Sequence, residues 1–315
     1  MQVKLTRPHE EPGGKDQDKG ETESRKNISG TVAGNSLILN GVTGGAVKFQ
    51  ARLSPTVEGG TVSTDKDAIV IKNANSVTLH LVAETNFINY RDVSRAYMAA
   101  AGKRLKSVAR KSYDTILSDH LKAHQAIYKR LDIELPESKN ATLPTDQRLK
   151  RFAAGESDPS LSALILQFGR YTLLTSSRPD TQAANLQGIW NNSVAPSWNG
   201  KYTTNINFQM NYWPVDTCNL RECFEPFVRK LEEWSVEGNK TARHYFGIDK
   251  GWALGFNSDL WSGTDPKGDG YFGTWQAGGV WSCTQLWEHY LFYEDKAFLE
   301  RAYPVMKGAA EFMVE

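Results

Sequence analysis

The sequence predicts a multidomain β + α chain: β structure first, then a helical linker, then an all-α region with long loops. Three observations predict this. Short β-branched runs of period 2 fill the first 90 residues. Around Asp92 the apolar period changes to 3.6. All nine tryptophans lie at or after Trp190, so tryptophan is confined to the helical part.

The strands come first. "NSLILNG" and "AVKFQARLSP" alternate in polarity, and "AIVI" and "VTLHLVA" are short, rich in β-branched residues and bounded by Asn, Gly or Asp, the pattern of antiparallel strands. Residues 9–27 are charged and Gly-rich and are expected to form an exposed loop. Beyond Asp92, "SRAYMAAAGKRLKSVARK" can be helical. A second helix should place Tyr113, Ile116, Leu117, His120, Leu121, His124, Ile127, Tyr128 and Leu131 on one apolar stripe.

After a loop beyond Pro136 comes "DPSLSALILQFGRYTLLTSS". Asp158 is placed to cap this helix and Pro159 to occupy its first position, with Leu161, Leu164, Ile165, Phe168 and Leu173 as its apolar face. Further helices are expected at about 218–236, 276–293 and 296–315. Asp295 should cap the last, and Pro304 should kink it. Between the helices lie two long segments, 178–216 and 250–275, rich in Gly, Asn, Trp and Asp. Loops of that length in a compact domain are usually functional.

Composition narrows the function. The net charge of +1 gives no global case for nucleic acid or an acidic membrane, and no apolar run is long enough for a membrane span. Cys218, Cys223 and Cys283 are odd in number and form no CxxC pair, so they are expected to be small buried hydrophobes. His120 and His124 stand i, i+4, but no third ligand follows and no Glu adjoins His120. No metal and no cofactor is expected. The N-terminus shows no apolar signal region.

The two loops interleave aromatic rings with Asn, Asp, Gln and Arg: "SSRPDTQAANLQGIWNNSVAPSWNGKYTTNINFQMNYWP" and "GWALGFNSDLWSGTDPKGDGYFGTWQAGGVW". A pyranose needs such a surface. Its C–H patches lie on Trp or Tyr, and its hydroxyls need partners, each unpaired one costing about 1–3 kcal/mol. Trp190, Trp213 and Trp261 are the candidate substrate-binding rings.

The run from "SSRPDTQAANLQG" through "TTNINFQMNYWPVDTCNLRECFEP" resembles the catalytic-domain signature of glycoside hydrolase family 95, mainly inverting α-L-fucosidases with some α-L-galactosidases. "FNSDLW", "GGVWSCTQLWEHYLFYEDKAFL" and "YPVMKGAAEF" continue the match in order, and "HLKAHQAIYKRLDIEL", "LPTDQRL" and the helix after Asp158 extend it upstream. The resemblance implies a partial N-terminal β super-sandwich over 1–91, a helical linker over 92–136 and an incomplete (α/α)6 barrel over 137–315. It implies release of terminal α-L-fucose with inversion, from a fucosylated oligosaccharide or a plant or host glycan. It also implies export in many full-length relatives, which leaves the compartment of this chain unknown.

Inverting hydrolysis needs an acid for the leaving oxygen and a base for a water, with carboxyls about 6.5–9.5 Å apart. In an extended segment Asn205 and Asn207 would aim two amides at one point. By resemblance they assist the water and the base. Asp259 of "NSDLW" also matches and is the candidate substrate or scaffold carboxylate. The acid Glu and base Asp are expected beyond Glu315, so the chain is expected to be an inactive fragment. Three positions depart from the family pattern: Gln209 stands where Glu is usual, and Phe224 and Phe256 where His is common. They open the alternatives of a non-catalytic glycan-binding relative or an α-L-galactosidase. A phosphorylase would need a Gly-rich or basic phosphate site, which the sequence does not show.

Overall fold

The computed structural model describes residues 1–6, 29–43, 46–193, 196–268 and 273–315; the loop expected at 9–27 lies outside them. The chain divides into two compact units, Met1–Lys122 with Asn192–Ala195, and Ala123–Asn191 with Pro196–Glu315.

The first unit is built from antiparallel strands, as the alternating runs require. β1 (Gln2–Val3), β2 (Ser29–Ala33), β3 (Ser36–Thr43), β4 (Val47–Glu58), β5 (Thr61–Asp65), β6 (Ala68–Lys72) and β7 (Ser76–Thr85) form two sheets, ordered β1-β6-β5 and β2-β3-β4-β7. Leu37 and Leu53 of the larger sheet share a core with Val3, Ile69 and Ile71 of the smaller. Leu37 and Leu53 are cross-strand partners, so register and burial agree. Helix α1 (Tyr97–Val108) packs on β4 and β7 through buried Ala101 and Leu105. There the sheet carries polar side chains: Arg104 Nε donates to buried Glu84 at 2.5 Å, and Gln50 Nε2 donates to Asn40 at 2.6 Å.

The boundary between the units falls within α2 (Tyr113–Tyr128). The second unit continues with α3 (Thr145–Ala153), α4 (Pro159–Ser176), α5 (Asn207–Tyr212), α6 (Pro214–Thr217), α7 (Glu225–Thr241), α8 (Gly278–Tyr293) and α9 (Lys296–Val314). Two short strands, β8 (Tyr202–Thr203) and β9 (Asn257–Ser258), pair antiparallel between them. The core is aromatic. Phe208 stacks on Phe227 at 4.8 Å, Phe227 on Phe224 at 4.9 Å, and Trp234 meets Phe208 edge-on at 4.9 Å. Such pairs each add about 0.5–1.5 kcal/mol beyond area burial.

Trp252 locks α8 to α9. Its Nε1 donates to Val305 O at 2.9 Å, and its ring passes so close to Gly279 and Gly308 that a Cβ there would lie 2.8 and 2.9 Å from it. Asp295 caps α9 by accepting from Phe298 N at 3.2 Å, as its position before the apolar run suggests. Pro304 sits inside α9, which stays helical on both sides of it.

Two expected faces are corrected. In α4 the buried residues are Leu161, Arg170, Leu173, Leu174 and Ser176, while Leu164, Ile165 and Phe168 are exposed. The helix turns Arg170 inward because backbone carbonyls await it. The guanidinium donates to Cys218 O at 3.1 Å, to Tyr128 O at 2.9 Å and to Leu131 O at 3.1 Å. Along α2, only Ile127 of the expected stripe is buried; Tyr113, Leu117 and Leu121 are exposed. Asp158 is also diverted from capping. It stands before α4 without bonding a backbone N–H of the helix, because Arg148 takes its carboxylate.

Candidate active site

The stretch Thr204–Trp213 is not extended, contrary to the expectation. After β8 the chain turns at Thr204–Ile206, and Asn207 begins α5. The helix starts there because Met210 N finds Ile206 O at 2.9 Å, closing the first helical turn. Beneath it the turn is pinned by Thr204. Its N–H donates to Phe256 O at 2.8 Å and its Oγ1 to Gly255 O at 2.6 Å. Asn205 is exposed and Asn207 half-buried, and neither side chain has a hydrogen-bond partner among the described residues. The turn and the first residue of α5 thus carry two amides, each with a donor and an acceptor to give.

Position 209 lies under this turn. Gln209 is fully buried, and its Nε2 donates to Thr204 O at 2.7 Å and to Ser282 Oγ at 2.9 Å. Gln285 Nε2 in turn donates to Gln209 O at 2.9 Å. Phe224 and Phe256 are likewise tied into the fold. Phe224 is buried between Phe227 and His289, and Phe256 supplies the carbonyl that holds Thr204. The cross-strand pair Thr203–Asn257 keeps one buried polar atom each, Thr203 Oγ1 and Asn257 Oδ1, with no bond inside the described protein. Sequence reading missed this ribbon because two residues per strand leave no period to detect.

The candidate substrate residues divide. Asp259 follows β9, and the antiparallel pairing sets it at the end of the ribbon away from Asn205. Its carboxylate is already engaged by Lys267 Nζ at 2.9 Å, Trp261 N at 3.0 Å and Gly263 N at 3.3 Å. Burial acts to raise its pKa, but Lys267 and the two N–H groups outweigh it and hold the carboxyl below its ordinary range. Under the same loop, buried Lys230 donates to Glu233 at 2.9 Å and to Ser262 Oγ at 2.8 Å; burial lowers its pKa against the pull of Glu233.

Trp190 belongs to a different place. It lies near-parallel to Tyr171 at 6.3 Å and lines an open, mostly apolar cavity of about 980 Å³, together with Phe168, Gln187 and Asn211. Asn205, Asn207, Trp213, Asp259 and Trp261 do not line it. Trp213, at the end of α5, and Trp261 are both partly exposed. Cys223 and Cys283 are buried and free, and burial pushes both thiols up to about 12, so neither is a ready nucleophile. His124 stacks on Tyr128 at 5.0 Å. Among the described residues no three His, Cys, Asp or Glu side chains gather as a metal site, and no helix is long and apolar enough to cross a membrane.

Free amides on a buried anchor, with partly exposed tryptophans in the same unit, suit work on carbohydrate, and comparison with known proteins makes the class definite. The model of the "Glycosyl hydrolase family 95 catalytic domain" matches residues 112–315. The chain is 40% identical over 219 residues to "Alpha-L-fucosidase 2" of Arabidopsis thaliana, covering 67% of this chain and 26% of that protein. It is 31% identical over 296 residues to "Probable alpha-fucosidase A" of Aspergillus niger, covering 89% of this chain and 37% of that protein. The solved structure "Putative kojibiose phosphorylase from human microbiome" shares the fold, with a TM-score of 0.55 at 10% identity, over 92% of this chain and 36% of that one. The family model sets the class, a glycosyl hydrolase catalytic domain, and the chain spans 26% and 37% of the length of the two relatives. Within that class, the chain belongs to glycosyl hydrolase family 95.

Proposed function

We propose that this chain forms part of an inverting hydrolase that releases terminal α-L-fucose from fucosylated oligosaccharides, with Asn205 and Asn207 steering the attacking water. The observation that carries this reading is the pair of unpartnered amides on a turn whose underside is fixed by buried hydrogen bonds. An amide oxygen accepts from a water while its NH₂ donates to a carboxylate, so the two groups can orient a nucleophile and the base that activates it. The names of the two curated relatives support fucose as the sugar. The helices from Thr145 onward are read as part of an (α/α)6 barrel and the N-terminal sheets as part of a super-sandwich. Trp213 and Trp261 are assigned to stacking on the sugar. Asp259, already engaged by Lys267, is assigned to shaping the loop that carries Trp261.

The acid Glu and base Asp are placed beyond Glu315, so residues 1–315 alone are expected to hydrolyse nothing. General acid–base assistance contributes about 10²–10⁴-fold per group. The test is hydrolysis of a 2′-fucosylated oligosaccharide by the longer protein that contains this chain, followed by NMR from the first seconds. The β anomer of fucose should appear first; α-fucose as first product would refute inversion.

A further inference from the structure

We infer that Gln209 is a positioning residue that sets the amide turn, and that the site demands an amide there and excludes a carboxylate. The inference rests on the proposed role of Asn205 and Asn207, because it explains what holds them. Gln209 Nε2 faces two acceptors. The Thr204 carbonyl can only accept, at 2.7 Å. Ser282 Oγ spends its proton on Gly278 O at 2.7 Å and so meets Gln209 with a lone pair, at 2.9 Å. An NH₂ group satisfies both, while Gln209 Oε1 stays buried without a partner among the described residues.

These two bonds tie the turn to α8 on one side, and Gln285 Nε2 ties the backbone of Gln209 to the same helix on the other. Asn205 follows the anchored Thr204 directly, and Asn207 lies two residues before Gln209. Both amides therefore sit on a short span fastened at its two ends. No ionisable side chain is among the hydrogen-bond partners of Gln209. A carboxylate at this position would meet two acceptors in a buried setting, where burial alone can raise a Glu pKa by up to about 3–5 units. Protonated, it could satisfy one acceptor. Ionised, it would repel the Thr204 carbonyl, even if Ser282 turned its hydroxyl proton toward it, and push the turn off its anchor.

Amide hydrogen exchange on the 315-residue chain tests this between pH 5 and pH 8, normalised for intrinsic rates. In wild type the protection of the Thr204 N–H should not change with pH. In Gln209→Glu it should match wild type within about twofold at pH 5 and fall at least tenfold by pH 8. In Gln209→Met it should be reduced at least tenfold at both ends. The losses should be confined to residues 204–210. Unchanged protection in both variants would overturn the inference, as would a loss spread evenly over α7, α8 and α9. Wild-type protection in Gln209→Glu at both pH 5 and pH 8 would remove the demand for an amide. In the longer protein, kcat of Gln209→Glu on a 2′-fucosylated oligosaccharide should fall with rising pH while KM stays within threefold. A wild-type protein with no hydrolysis would defeat the hydrolase reading, and the exchange result would still decide the role of Gln209.

Discussion

Arg148 and Asp158 form a buried two-point pair, with Arg148 Nε donating to one carboxylate oxygen at 2.9 Å and Nη2 to the other at 3.0 Å. The pair joins α3 to the start of α4, and Ser160 Oγ also donates to the carboxylate at 3.1 Å. Arg148 chiefly, against the opposing effect of burial, lowers the Asp158 pKa from 3.8 to about 2.

An acid limit follows from the sign of that shift. A carboxyl with a depressed folded pKa contributes stability that is complete above its unfolded value and is lost as pH falls through the folded one. The contribution of Asp158 should therefore fade between about pH 4 and pH 2. Denaturant melts of wild type and Asp158→Asn at steps from pH 6 to pH 2 should converge at the acid end. Curves separated by a constant gap across that range would contradict it.

Asn205→Ala and Asn207→Ala should separate activity from stability. Both side chains lack partners among the described residues, so each truncation should change unfolding free energy by no more than about 0.5 kcal/mol. In the longer protein each should cost kcat roughly 10²–10⁴-fold if the amides orient the water and its base. Loss of folding in step with activity would instead mark them as structural.

The aromatic stack should dominate the core energetics. Phe227 is fully buried against Phe208, Tyr212 and Phe224. Phe227→Ala is expected to cost about 3–5 kcal/mol by equilibrium unfolding.

Two glycines should respond in opposite directions. A Cβ at Gly308 would press on Trp252, so Gly308→Ala should destabilise by about 1–3 kcal/mol. Gly169 is exposed on α4 with no atom within 4 Å of its would-be Cβ, so Gly169→Ala should stabilise by about 0.5–1 kcal/mol. Thermal melts of the pair check both; a shared sign would show that contact distance does not govern the outcome.

Much of this protein was legible in its residues. The alternation of "NSLILNG" and "VTLHLVA" marked strands, because one-sided burial leaves a period of 2. Asp295 announced the start of α9 through a local cap bond that needs no distant partner. The ordered motifs around "TTNINFQMNYW" marked the family, since many positions must agree at once. Other features belonged to the tertiary structure. Arg170 faces inward only because three carbonyls, from Tyr128, Leu131 and Cys218, converge on it from outside its helix. Asp158 gave up its cap for Arg148. The Asn205–Asn207 segment became a turn and a helix because Thr204 and Gln209 are held by Gly255, Phe256 and Ser282, 51 to 73 residues away along the chain. Periodicity and caps report bonds between near neighbours. Where a polar group's partner is distant in sequence, only the folded chain decides which partner it meets.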